Sequence, residues 1–124
     1  MNTLLIFIGA GMGGICRYWI SNGMYFLFGR AFPYGTLAVN ISGCFLMGFL
    51  FVVIIDRWIG LEAPLRSLVL IGLLGGYTTF SSFSIETIIL FESGALLSAF
   101  LNIFLSVTLC IVATWLGVIG GRLL

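Results

Sequence analysis

Residues 65–86 read Leu65-Arg66-Ser67-Leu68-Val69-Leu70-Ile71-Gly72-Leu73-Leu74-Gly75-Gly76-Tyr77-Thr78-Thr79-Phe80-Ser81-Ser82-Phe83-Ser84-Ile85-Glu86. A largely apolar run gives way to two glycines, then to hydroxyls at Thr78, Thr79, Ser81, Ser82 and Ser84, interrupted by Phe80 and Phe83. Gly75 lies roughly 15 Å along a helix entered at Leu65, at about 1.5 Å per residue, which is near the midplane of a bilayer. Glycine tolerates unusual dihedrals and hydroxyls can satisfy freed backbone groups, so the Gly75-Gly76 pair followed by Thr78-Thr79 is expected to break the helix there. A break exposes carbonyl oxygens at the end of one half-helix and N–H groups at the start of the next. Carbonyls suit a cation, whereas amides at a helix start suit an anion. The competing reading is a glycine-rich packing contact whose hydroxyls bond back onto the preceding turn.

Composition says which solvent surrounds this stretch. Of 124 residues, 61% are hydrophobic and 7% charged, with mean hydropathy +1.27. A soluble domain carries about 25% charged residues, so this chain cannot cover a water-facing surface. It has no His and no Lys, which removes most general-base and metal-ligand chemistry. A net charge of +1 argues against a nucleic-acid surface. Cys16, Cys44 and Cys110 sit singly in apolar stretches, without the spacing of a disulfide framework or a zinc site. The N-terminus lacks a basic n-region and a cleavage site, and reads as a first span.

Four stretches are long and apolar enough to cross a bilayer: about 3–28, 35–56, 65–91 and 95–121. The connections hold the turn formers and most of the charge, around Gly29-Arg30, Asp56 to Arg66, and Glu92-Ser93-Gly94. The expected fold is an all-α, single-domain membrane protein of four transmembrane helices, the third broken near the midplane. Gly9, Gly11, Gly13 and Gly14 in the first span, with Gly43 and Gly48 in the second, mark close helix packing rather than chemistry. Arg57, Arg66 and Arg122 fall on one side, against Arg30 and the reach of Arg17 on the other. That weak bias permits insertion in both orientations.

The remaining polar residues sort by helical spacing. Phe80 and Phe83, three apart, share a face, and Thr79, Ser82 and Glu86 follow on a neighbouring one. An aromatic ring edge carries the positive part of the quadrupole and can meet an anion. Glu86 is a carboxylate within a span, costly unless functional or close enough to the helix end to reach water. Asn40 in the second span needs partners within the bundle. Ser98, Asn102, Ser106 and Cys110 form one polar stripe at steps of four on the fourth span. Arg17, in the first span, either snorkels, pairs with an acid, or lends positive potential to an anion vestibule.

At these residues the chain resembles the CrcB/Fluc family of small fluoride channels. The resemblance is carried by Gly9-x-x-x-Gly13-x-x-x-Arg17-Tyr18, by Gly35-Thr36-Leu37-x-Val39-Asn40, and above all by Gly75-Gly76-x-Thr78-Thr79-Phe80-Ser81-Ser82-Phe83-Ser84-x-Glu86. It implies an antiparallel, dual-topology dimer in the cell membrane, a homodimer or a heterodimer with an oppositely oriented paralogue, passively exporting toxic cytoplasmic fluoride. It implies that carbonyls of Gly75 and Thr78 from both subunits hold a structural Na⁺ that is not transported. Phe80 and Phe83 would supply ring edges to the fluoride path, Asn40 would hydrogen-bond near them, and Thr79, Ser81, Ser82 and Ser106 would add hydroxyls. Arg17, Glu86, Asn102 and Cys110 are further candidates, Cys110 standing where relatives often have a hydroxyl.

No nucleotide motif or nucleophile–base pair is present, so an enzyme is not expected. Two other membrane roles compete. A small dual-topology multidrug-type antiporter would need a carboxylate in the first span, where this chain has Arg17 and no acid. A structural subunit of a larger membrane complex would leave the residues from Gly75 to Ser84 without a purpose.

Overall fold

Each apolar stretch becomes a helix because, without water, a backbone must satisfy its own polar groups. The computed structural model describes residues 1–124 and contains helices with no strand. Helix α1 spans Asn2–Phe28 and α2 spans Tyr34–Arg57. The third crossing is composite: α3 (Glu62–Leu65), a π-helix (Arg66–Leu74), α4 (Gly75–Tyr77) and α5 (Phe80–Glu92). Helix α6 spans Leu96–Leu123. The four crossings are 27, 24, 31 and 28 residues long. Even the shortest reaches about 36 Å at 1.5 Å per residue, enough for a hydrocarbon core of about 30 Å. The protein is a multi-pass membrane protein, with crossings that match the expected spans to within a few residues. Gly29, Gly60 and Gly94 take positive φ of 81°, 91° and 81° in the three connections, where a β-carbon would be strained.

Two helix pairs hold the bundle, and glycine permits both. Helix α1 lies against the π-helix and α4 so closely that a β-carbon on Gly9 would strike Leu68 O, and one on Gly13 would strike Leu73 O. A β-carbon on Gly76 would stand 2.5 Å from Ala10 O. Helix α2 lies along α6, where β-carbons on Gly48 and Gly117 would strike Thr114 O and Phe45 O. Packing at backbone distance replaces the hydrophobic driving force that lipid removes. By contrast, Gly11 and Gly14 of the same glycine cluster face open space.

The third crossing is broken within the expected stretch, at its threonines and not at its glycines. Gly75 is helical, with φ −63° and ψ −37°, and Gly75–Tyr77 forms the short α4. The chain leaves the helix at Thr78 (φ −78°, ψ 154°) and Thr79 (φ −150°, ψ 112°) and resumes at Phe80. The glycine pair therefore does not supply unusual dihedrals. Gly76 supplies close approach to α1 instead, and two threonines, comfortable in extended conformation, make the break. The π-helix was invisible to periodicity. Its wider turn, with Gly75 N–H reaching Leu70 O five residues back, shifts the faces that a 3.6-residue repeat assigns.

Candidate functional site

At bilayer depth an interrupted backbone needs substitutes for its lost hydrogen bonds, and Asn40 provides two. Its Oδ1 accepts from Thr79 N–H at 2.8 Å, and its Nδ2 donates to Thr79 O at 3.0 Å. One side-chain amide thus clamps both backbone groups of Thr79 and keeps one Nδ2 hydrogen uncommitted. Helix α5 is capped in turn by Thr79, whose Oγ1 accepts from Ser82 N–H at 3.1 Å.

These two diversions account for two of the carbonyls freed at the end of the first half-helix. In a continuous helix, Thr79 N–H would bond Gly75 O and Ser82 N–H would bond Thr78 O. Asn40 takes the first donor and the Thr79 side chain takes the second. Gly75 and Thr78 carbonyls consequently lose their helical partners, while Thr78 N–H still bonds Leu74 O at 3.0 Å. No cluster of three or more His, Cys, Asp or Glu could hold a metal. Carbonyls at the end of the first half-helix, Gly75 and Thr78 among them, are hard oxygen ligands open to a cation at the break, and oxygen ligands fit an alkali ion. Gly75 is exposed and Thr78 half-buried on the chain's surface.

The hydroxyls divide into two groups. Thr78 and Ser84 turn back onto backbone carbonyls, Leu74 O at 3.0 Å and Phe80 O at 2.9 Å. Thr79, Ser81 and Ser82 bond to one another instead: Thr79 Oγ1 donates to Ser82 Oγ at 3.0 Å and lies 3.2 Å from Ser81 Oγ. Because the single Thr79 hydroxyl proton goes to Ser82, Ser81 is the donor in the other bond, and Ser82 keeps a proton to offer.

Thr79 stands between two cavities. On one side is an open groove of about 290 Å³ lined by Asn40, Cys44, Thr78, Thr79, Phe80 and Phe83 with Ser106, Val107, Cys110 and Ile111 of α6. The Phe80 and Phe83 rings lie 5.2 Å apart, inclined by 47°. Phe83 is 8% exposed and Phe80 75%, so one ring is held by the bundle while the other stands out from it. On the other side is a polar pocket of about 410 Å³ that includes Arg17, Tyr18, Ser21, Thr36, Thr79, Ser82 and Glu86. Arg17 is therefore brought to the same pocket as Glu86. The carboxylate hydrogen bonds, however, come from Thr36 Oγ1 at 2.8 Å and Tyr25 OH at 3.3 Å, both received at Oε1. Glu86 Oε2 is buried with no partner.

Asn102 joins neither cavity. It is 1% exposed, donates through Nδ2 to Thr87 Oγ1 at 2.9 Å, and accepts weakly from Ser106 Oγ at 3.4 Å. Thr87 in turn donates to Phe83 O at 2.7 Å. This buried chain ties α6 to α5 beside the held ring. Tyr25 and Thr87 were not singled out in the sequence, and Thr36 entered only as part of the Gly35-to-Asn40 motif. Each is one hydroxyl in an apolar helix, and only a partner far along the chain gives it meaning.

This constellation can stabilise an anion at depth with distributed donors: hydroxyls, one amide hydrogen, ring edges and the N-terminus of α5. The family model described as CrcB-like protein, Camphor Resistance (CrcB), matches residues 4–118. A Fluoride-specific ion channel FluC from Coxiella burnetii (strain Dugway 5J108-111) is 60% identical over 122 residues, covering 98% of both chains. A protein of the same name from Methylococcus capsulatus (strain ATCC 33009 / NCIMB 11132 / Bath) is 52% identical over 98% of this chain and 53% of its own length. Another, from Magnetococcus marinus (strain ATCC BAA-1437 / JCM 17883 / MC-1), is 47% identical over the whole of both.

Proposed function

The chain belongs to the CrcB-like family, and on that premise we propose that it is a fluoride-selective channel that passively exports fluoride across the cell membrane. Its relatives are named as ion channels, and it is not an enzyme. The observation that carries the reading is the pair of cavities meeting at Thr79, lined with hydroxyls, an amide and aromatic rings. Fluoride is small and strongly hydrated, so leaving water is costly unless donors replace its shell. Arg17 adds positive potential at the polar pocket. Ser82, with its free proton, and Thr79 at the helix start pass the ion toward the groove. There the Phe80 and Phe83 edges and the spare Asn40 hydrogen offer weak successive contacts. Conduction needs sites shallow enough to leave, and modest donors in series meet that need better than one strong site.

The functional unit we propose is an antiparallel dimer, of two copies or of this chain with an oppositely oriented paralogue. Irregular backbone cannot face lipid, yet Gly75, Phe80 and Ser81 are exposed at the break on a single chain. A partner placed there would cover them and complete the walls of the open groove. The Gly75 and Thr78 carbonyls of both subunits would hold a structural Na⁺. When bound, it would supply fixed positive charge that offsets part of the cost of a nearby anion.

The test is reconstitution of the purified chain alone in liposomes, with fluoride efflux read by an electrode. Rapid fluoride efflux, with chloride retained and activity lost when Na⁺ is withheld from both sides, is expected. Folded protein that releases no fluoride, alone or with an oppositely oriented paralogue, overturns the reading.

A further inference from the structure

The groove carries a pair of thiols to which the proposed fluoride path gives no role. Helices α2 and α6 run parallel in close register. The contact between Gly48 and the Thr114 carbonyl is the tight point, and one helical turn earlier on each helix, four residues back, stand Cys44 and Cys110. Both half-buried free cysteines line the groove with Phe80, Phe83 and Ser106. The third cysteine, Cys16, lines a separate apolar cavity with Leu73 and Tyr77.

We propose that Cys44 and Cys110 form a two-thiol binding site for a soft divalent cation of linear coordination, with Hg²⁺ as its probe, and that occupancy closes the groove. The ligand class follows from the donor set. Thiolate sulfur selects soft ions. Zinc takes four ligands in structural sites, whereas here there are two sulfurs and no cluster of three or more His, Cys, Asp or Glu. Charge narrows the choice further. Two thiols and one Hg²⁺ form two S–Hg bonds and release two protons to solvent, with no electron transferred, leaving a neutral complex. A monovalent soft ion would leave a net anion, which burial in an apolar wall penalises. Closure of the groove rests on the proposed fluoride path, whereas binding at the two thiols does not.

The binding experiment uses the whole detergent-solubilised chain. At one equivalent of Hg²⁺, alkylation followed by peptide mass mapping is expected to show Cys44 and Cys110 protected together and Cys16 still reactive. Native mass spectrometry should show one Hg²⁺ per chain. Cys44→Ser and Cys110→Ser, each in a Cys16→Ser background, should each weaken binding by about tenfold or more, a loss of about 1.4 kcal/mol. Independent protection of single cysteines, or unchanged affinity in both variants, overturns the site. In liposomes, Hg²⁺ should stop fluoride efflux, with recovery on adding excess thiol, while Zn²⁺ at the same concentration should not. Each variant's inhibition is measured against its own uninhibited rate and should be relieved. Bound Hg²⁺ with undiminished efflux overturns closure alone. A chain that binds Hg²⁺ but never conducts overturns the proposed function and leaves the thiol site standing.

Discussion

Asn40 is the residue on which the interruption depends. Its amide replaces a turn of backbone bonding at Thr79, accepting at 2.8 Å and donating at 3.0 Å. Asn40→Ala strands an N–H and a C=O away from water, each costing about 1–3 kcal/mol. The variant is expected to melt well below the parent in detergent and to lose efflux, and an unchanged melting temperature would show that the amide does not hold the break. The two rings should separate differently. Phe80 stands out from the bundle while Phe83 is almost fully buried. Phe80→Ile is expected to suppress efflux with the melting temperature of the single chain little altered. Phe83→Ile should suppress efflux and also cost about 1–3 kcal/mol of stability. Paired efflux and thermal-melt measurements on both variants check this. The need of Asn40 for partners was legible in the sequence, as was the kinship of Phe80 with Phe83. That its partner is the Thr79 backbone was not, because the contact joins residues 39 apart.

At the scale of elements, the glycines of α1 divide into those that touch and those that do not. Gly13 meets the Leu73 carbonyl, whereas nothing lies within 4 Å of a β-carbon on Gly11. Composition treats them alike. Gly13→Ala and Gly76→Ala are expected to reduce the yield of folded protein sharply, since the neighbour in each case is backbone that cannot step aside. Gly11→Ala should be neutral or stabilising, by up to about 1 kcal/mol from helix propensity. Size-exclusion recovery and thermal melts of the three variants decide the matter. The same reasoning explains why the break falls at the threonines of the expected stretch and not at its glycines. Gly76 is spent on contact with Ala10, and the helix persists through it until Thr78 and Thr79 turn extended. Thr79→Val should remove the cap of α5, at a cost of about 1 kcal/mol, and the link between the two cavities. Thr79→Ser should retain both, as melting temperature and efflux of the pair would report.

For the whole molecule, orientation and partner are the open variables, and charge placement bears on both. Arg57, Arg66 and Arg122 oppose Arg30 with only a small bias. Fusions of a reporter active on one side of the membrane to the C-terminus are therefore expected to register both orientations in comparable amounts. Adding two arginines beside Arg57, on the side that already holds Arg66 and Arg122, should drive the population to one orientation and, if the proposed antiparallel pair is the active form, lower efflux. A single orientation in the parent would instead favour an oppositely oriented paralogue as the partner. The four crossings were readable from the chain alone, because twenty apolar residues in a row seek lipid whatever their neighbours do. So was the concentration of hydroxyls and aromatics in residues 75–86, which is a local property of composition. Which carbonyls lose their partners and which protons remain to be offered was not readable. Those depend on Asn40 reaching Thr79, and on Thr36 and Tyr25 meeting Glu86 across 50 and 61 residues of chain. Hydropathy acts within one helix, but hydrogen bonds at bilayer depth are satisfied between helices. Only their packing settles where donors and acceptors are left for an ion.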